Sequence, residues 1–155
     1  MTIEEGKKAP LFTLENAKGE KVALRDLKGK KVVVYFYPKD ETPGCTKEAC
    51  AFRDLSKEFR KHKTVILGIS PDDAASHKAF ARNHKLRFNL LCDPNKKVMT
   101  KYEAWGEKVL YGRKSIGVIR STVLIDEQGK VIKHWKRTGS AAGHPQNVLN
   151  VLDKL

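Results

Sequence analysis

The chain has 155 residues, the length of one ordinary domain and enough to close a hydrophobic core without disulfides or a structural metal. No apolar run reaches bilayer length and the amino terminus lacks a basic-then-apolar leader, so the expectation is a single domain over residues 1–155, soluble and cytoplasmic, with no membrane partner. Three cysteines are an odd set in a domain that needs no stapling, which favours reduced thiols and a catalytic or redox use of one of them. The formal net charge of +13 is compatible with nucleic acid, an anionic surface or simple solvation, and selects none of these. Basic clusters at Lys28, Lys30 and Lys31, at Arg60, Lys61 and Lys63, and at Lys133, Lys136 and Arg137 are scattered along the chain. They read as a solvated surface.

Residues 12–14 and 21–24, either side of Lys18-Gly19, predict an amino-terminal hairpin. Residues 31–37 form an almost unbroken β-branched and aromatic run, the pattern of a central strand buried on both faces. From Thr46 to about Lys61, apolar residues recur at Ala49, Phe52, Leu55 and Phe59, which is helical spacing. Residues 64–69 supply a second buried strand, completing a βαβ unit with an expected right-handed crossover. Ser70-Pro71-Asp72-Asp73 reads as a helix start with a hydroxyl cap and proline in the first position, the helix running to about Lys85. A short strand over 89–92 and a helix over 94–102 follow. Residues 121–126 and 130–135 flank Glu127-Gln128-Gly129 as a hairpin, and a closing helix, with Pro145 near its start, carries Val148, Leu149, Leu152 and Leu155 on one face. The sum is an α/β domain with a mixed central sheet flanked by helices.

Between the first buried strand and its helix lies Pro38-Lys39-Asp40-Glu41-Thr42-Pro43-Gly44-Cys45-Thr46-Lys47-Glu48-Ala49-Cys50. Open α/β sheets place their ligand crevices at this end of a strand. With Thr42 as cap and Pro43 first in the helix, Cys45 falls third, near free backbone N–H groups and the positive end of the helix dipole. An anion is favoured there, and a thiolate is the anion a cysteine supplies. A free cysteine of pKa near ~8.5 is about 3% thiolate at neutral pH, so ionisation alone multiplies reactivity by roughly thirty at most. The dipole offers ~0.3–1 kcal/mol against the roughly 2.7 kcal/mol that a two-unit pKa shift demands. A reactive Cys45 therefore requires a nearby cation, together with donors that stabilise charge as an O–O bond breaks.

Pro38, Thr42 and Cys45 match the P-x-x-x-T-x-x-C signature of peroxiredoxins, and the fuller YPKDETPGCTKEAC run resembles the bacterioferritin comigratory protein or peroxiredoxin Q subgroup. Residues 102–108 and 120–126 resemble that subgroup too, at similar separations. The resemblance implies a thioredoxin-like fold and a peroxidase acting on hydrogen peroxide and organic hydroperoxides. It assigns Cys45 as the peroxidatic nucleophile, Thr42 as a hydrogen-bonding group to thiolate and peroxide, Pro38 as a shield from water and Arg120 as the cation, with Thr42, Gly44 and Arg120 contacting substrate. Cys50 falls where many members carry the resolving cysteine. A Cys45–Cys50 disulfide reduced by thioredoxin or a similar reductant, a monomeric state and no cofactor or metal complete the expectation.

Taken singly, several of these residues have plainer readings. Pro38, Pro43 and Gly44 are turn formers, Thr42 an ordinary cap, Arg120 a surface charge and Cys50 a small apolar filler. Cys92 reads as structural, with a resolving role as its alternative. His62, His77, His84, His134 and His144 show no metal-ligand spacing with the cysteines and read as surface residues, while Trp105 and Tyr35 read as packing. Two rival functions remain. A thioredoxin-type oxidoreductase uses Cys-x-x-Cys, whereas four residues separate Cys45 from Cys50, and a nucleic-acid-binding module rests on charge alone.

Overall fold

The computed structural model describes residues 3–155. In chain order the elements are β1 (Thr13–Asn16), β2 (Lys21–Ala23), β3 (Lys31–Phe36), α1 (Pro43–Asp54), α2 (Ser56–Lys61), β4 (Thr64–Ser70), α3 (Ala74–His84), β5 (Asn89–Cys92), α4 (Lys97–Lys101), β6 (Trp105–Leu110), β7 (Arg113–Val118), β8 (Ser121–Ile125), β9 (Val131–Trp135) and α5 (His144–Asp153). Seven strands form one sheet in the order β2-β1-β5-β4-β3-β8-β9, while β6 and β7 pair only with each other. Strand β3 pairs in parallel with β4 and antiparallel with β8, so the sheet is mixed, as expected.

The β-branched run of β3 is buried on both faces because it divides two cores. Val32, Val34 and Phe36 pack with Met99 and Tyr102 on one side. Val33 and Tyr35, joined by Tyr37, pack against Ala49 and Phe52 of α1, Phe59 of α2, Phe80 of α3 and Val148 of α5 on the other. Tyr102 spans its layer and donates from its hydroxyl to the Pro10 carbonyl.

Four expectations about the helices are corrected. The helix drawn from Thr46 to Lys61 is two, broken at Leu55, whose φ of −98° and ψ of 4° leave helical geometry while the apolar spacing continues across the break. Phe59 of α2 packs in the core with Ile66 of β4. Helix α3 starts at Ala74, and its cap is Asp73, which accepts from Ser76 N at 2.8 Å. Ser70 stays in β4 because its hydroxyl donates to Asp72 Oδ2 at 2.7 Å. The helix drawn over 94–102 shortens to α4, held by the Asp93 carboxylate accepting from Met99 N at 2.9 Å. Leu155 lies past α5 and is exposed. The β6–β7 hairpin, with Tyr111 and Gly112 both at positive φ in its two-residue turn, has no counterpart in the sequence reading. Those φ values suit the twist of a tight hairpin.

Two histidines read as surface residues are buried. His144, the first residue of α5, sets its Nε2 2.7 Å from Thr122 Oγ1, and burial pushes it down to about 4, so it is neutral at pH 7. His77, fully buried in α3, sets its Nδ1 2.7 Å from Asp40 Oδ2 and its Nε2 3.0 Å from the Leu91 carbonyl. Both ring nitrogens thus face acceptor oxygens. Asp40 also accepts from Tyr37 Oη at 2.6 Å and Ser76 Oγ at 2.8 Å, and its backbone N–H donates to Asp72 at 2.8 Å. The loop after β3 is thereby fastened to α3 and β5.

Removing the acceptor shared by Tyr37, Ser76 and His77 leaves their buried donors unsatisfied, at about 1–3 kcal/mol each and about 3–5 kcal/mol combined. Asp40→Ala is therefore expected to lower unfolding free energy by about that amount, read from the urea midpoint; a loss below about 1 kcal/mol contradicts the clamp.

Candidate active site

The peptide leaving β3 turns through Pro38 and enters α1 at Pro43, so Thr42, extended at φ −81° and ψ 152°, occupies the cap position and Cys45 the third helical position, as the sequence indicates. The cap is a backbone one: Thr42 O accepts from Thr46 N, whereas the Thr42 hydroxyl donates to the Lys39 carbonyl at 2.8 Å. The Cys45 side chain sits at the first turn of α1, and the residue is only 1% exposed.

Arg120 comes from the far end of the sequence but not of the fold. Phe36 at the end of β3 pairs with Ser121 at the start of β8, so Arg120 emerges beside the loop that carries Cys45. Its carbonyl accepts from Thr138 N at 2.9 Å, which anchors the backbone, and Nη2 donates to Cys45 Sγ at 2.9 Å. Gly44 is what permits this approach: a Cβ at that position would lie 2.9 Å from Nη2. Gly44 thus touches the cation, and Pro38 and Arg120 line a cavity of about 340 Å³ with Val109, Val118 and Ile119.

One turn beyond Cys45, Glu48 is fully buried, with Oε1 3.5 Å from Arg120 Nη1. Neither carboxylate oxygen has a hydrogen-bond partner. Burial pushes its carboxyl up to about 8, against the opposing pull of Arg120. Below that pH the acid is protonated and does not compete with the sulfur for the guanidinium charge. Tyr35 closes the back of the site, stacked on Phe52 at 4.6 Å between centroids and set against Gly68, where a Cβ would meet the ring at 2.8 Å.

All three cysteines are free thiols, so the Cys45–Cys50 bond expected of an oxidised state is not formed here. Cys50 is half-buried, further along α1. Cys92 stands apart in β5, its thiol pushed up to about 11 by burial and then by Asp73, Glu15, Asp40 and Asp72. Asp40, Asp72 and His77 offer ligand atoms within 4.8 Å of one another, yet Asp40 already accepts three hydrogen bonds, so these residues form a closed hydrogen-bonded clamp.

Glu48, Asp40 and His77 were not singled out by the sequence. For Glu48 a signal existed: three residues past Cys45 on a helix is the same face, and an acid there meets whatever cation serves the sulfur. For Asp40 and His77 none did, since their meeting depends on how α3 crosses the sheet.

Residues 5–134 match the AhpC/TSA family. A putative peroxiredoxin bcp of Coxiella burnetii is 46% identical over 98% of this chain and 100% of its own, and the peroxiredoxin Bcp of Bacillus subtilis is 47% identical over 88% and 87%. Among solved structures, the bacterioferritin comigratory protein of Xanthomonas campestris, described for its alkyl peroxide reduction activity, superposes with a TM-score of 0.89 at 34% identity, over 97% of this chain and 98% of that one. The thioredoxin-like fold is thus the one these relatives share with it. With a cysteine at a helix start, an arginine on its sulfur and relatives matching over nearly the whole length, the chain belongs to the AhpC/TSA family, among the peroxiredoxins of the Bcp and Q kind.

Proposed function

We propose that this peroxidase reduces hydrogen peroxide and organic hydroperoxides through Cys45 and Cys50, as a single-domain cytoplasmic monomer recycled by thioredoxin or a similar dithiol protein. The observation that carries the reading is the 2.9 Å contact from Arg120 to Cys45 Sγ at the first turn of α1. A hydrogen bond to a charged group contributes about 1.5–3 kcal/mol, more than the ~0.3–1 kcal/mol of the dipole, so the guanidinium is the stronger of the two interactions offered to this sulfur.

In the first step the Cys45 thiolate attacks the terminal oxygen of ROOH. An S–O bond forms, the O–O bond breaks, and the departing alkoxide takes a proton to leave as ROH, or as water when R is hydrogen. Arg120 and backbone N–H groups of the first turn face the charge that develops on oxygen. Thr42 serves the same step by turning its hydroxyl from the Lys39 carbonyl toward the peroxide. Pro38, half-buried at the rim, limits access of water. In the second step the Cys50 sulfur attacks the Cys45 sulfenic acid and expels water, leaving a disulfide. An external dithiol then returns both thiols by exchange and is itself oxidised. The raised Cys92 thiol supports a structural role for that residue and leaves Cys50 as the partner.

Two positions five apart on a regular helix have Cα atoms roughly 8.6 Å apart, from a rise of about 7.5 Å and a rotation of about 140°, whereas a disulfide normally needs about 4.4–6.8 Å. The first turns of α1 must unwind for Cys50 to reach Cys45. Stoichiometric peroxide is expected to lower the far-ultraviolet helical signal, with dithiothreitol restoring it; a disulfide within an unbroken α1 contradicts this.

Peroxide turnover with thioredoxin as donor tests the assignment. Cys45→Ser is expected to abolish turnover, and Cys50→Ser to permit one oxidation without efficient recycling; full steady-state turnover by Cys50→Ser removes it from the mechanism.

Glu48 adds a pH dependence. Its folded pKa lies above the ordinary carboxyl value of 4.5, so the native state holds a proton that the unfolded state releases, and stability from this group declines as pH rises from about 4.5 to about 8. Glu48→Gln keeps the shape and removes the titration. Its stability advantage over wild type should grow across that interval and level off above it; an advantage independent of pH contradicts the protonated state.

A further inference from the structure

Members of two of the basic clusters that are scattered in the sequence meet in the fold, joined by Arg87. A cavity of about 480 Å³ opens at the amino-terminal end of β4, away from Cys45, which follows the carboxyl end of the neighbouring parallel strand β3. Lys30 precedes β3, Arg60 lies in the last turn of α2, Lys63 precedes β4 and Arg87 lies shortly before β5, and all four line this cavity. Its floor is apolar, made by Val65, Ile66 and the half-buried ring of Phe88. A second cavity of about 270 Å³ shares Ser56, Arg60, Arg87 and Phe88 with it and adds Arg53 and Lys85.

No carboxylate lines either cavity. Among the described residues, none of the four cations of the larger cavity has an acidic partner or a side-chain hydrogen bond. Their neighbours are treated differently: Lys31 pairs with Glu127 at 3.4 Å, Arg53 with Asp54 at 2.9 Å, and Lys61 with Glu58 at 3.6 Å. Four like charges gathered around one concavity repel each other, and a polyvalent anion relieves that repulsion. Peroxide chemistry at Cys45 makes no use of them.

We propose that this cavity binds a mononucleotide-class ligand, a planar ring bearing one or two phosphates. The volume lies within the range of small-ligand sites, the floor presents an aromatic ring and aliphatic side chains to a base, and the cationic rim matches the phosphate charge. Inorganic phosphate satisfies the rim and leaves the floor unused. A free nucleoside does the reverse. The proposal does not depend on the assignment of Cys45 and Cys50.

Calorimetric titration of the full chain with AMP, ADP, adenosine and inorganic phosphate tests it. ADP and AMP are expected to bind one per chain, ADP more tightly, with adenosine and phosphate each at least about tenfold weaker. Arg60→Gln combined with Arg87→Gln, both exposed positions outside the peroxidase site, should weaken AMP binding at least about tenfold while peroxide turnover and the circular dichroism spectrum stay as in wild type. Absence of saturable binding up to about 5 mM overturns the site. Equal affinity for phosphate and AMP overturns the ligand class, unchanged AMP binding by the double variant overturns the location, and preference for a single-stranded oligonucleotide that ADP fails to displace transfers the charge to a nucleic-acid function.

Discussion

The arrangement around Cys45 turns on one short contact, Arg120 Nη2 to Cys45 Sγ at 2.9 Å. A helix start alone does not hold a sulfur anion strongly, and an arginine alone is a surface charge. The antiparallel pairing of β3 with β8 joins the two: the last residue of one strand faces the first of the other, and each continues into the element that carries its functional group. Gly44 completes the arrangement by leaving space where any side chain would meet the guanidinium. Sheet register, a missing Cβ and a cap position are thus three separate conditions on a single distance.

The surroundings of that contact show how burial is used. Glu48 sits 3.5 Å from the same guanidinium, yet its burial keeps the carboxyl protonated well above the usual range. A carboxylate at that position would divide the positive charge between two anions. Asp40 solves the opposite problem, being buried and surrounded by Tyr37, Ser76 and His77, with every oxygen engaged. One acid is left without hydrogen bonds and stays neutral. The other is supplied with donors and ties the loop before α1 to α3.

Much of this was legible in the chain itself. The run over 31–37 is continuous because both faces of β3 are covered, and the Thr42-Pro43 start of α1 follows from capping geometry alone. What escaped was set by contacts at long range. Ser70-Pro71 has the chemistry of a helix start, but Ser70 is claimed by Asp72, which also holds the Asp40 backbone, and the cap passes to Asp73. The break at Leu55 leaves the apolar spacing intact and so leaves no periodic signature. The histidines were read as polar and exposed because their partners, Asp40 for one and Thr122 for another, lie 37 and 22 positions away. The cationic cavity is the same case on the surface: Lys30 and Arg87 join the local pair Arg60 and Lys63 only when β3, β4 and β5 are laid side by side.

The interruption at Leu55 has a mechanical meaning. Helical hydrogen bonding is cooperative, so loosening at one end of a long continuous rod tends to spread along it. Here the twelve residues that bear both sulfurs form a segment of their own, while the six that follow stay rooted through Phe59. The joint at Leu55 thus divides the segment that carries Cys45 and Cys50 from the one anchored in the core.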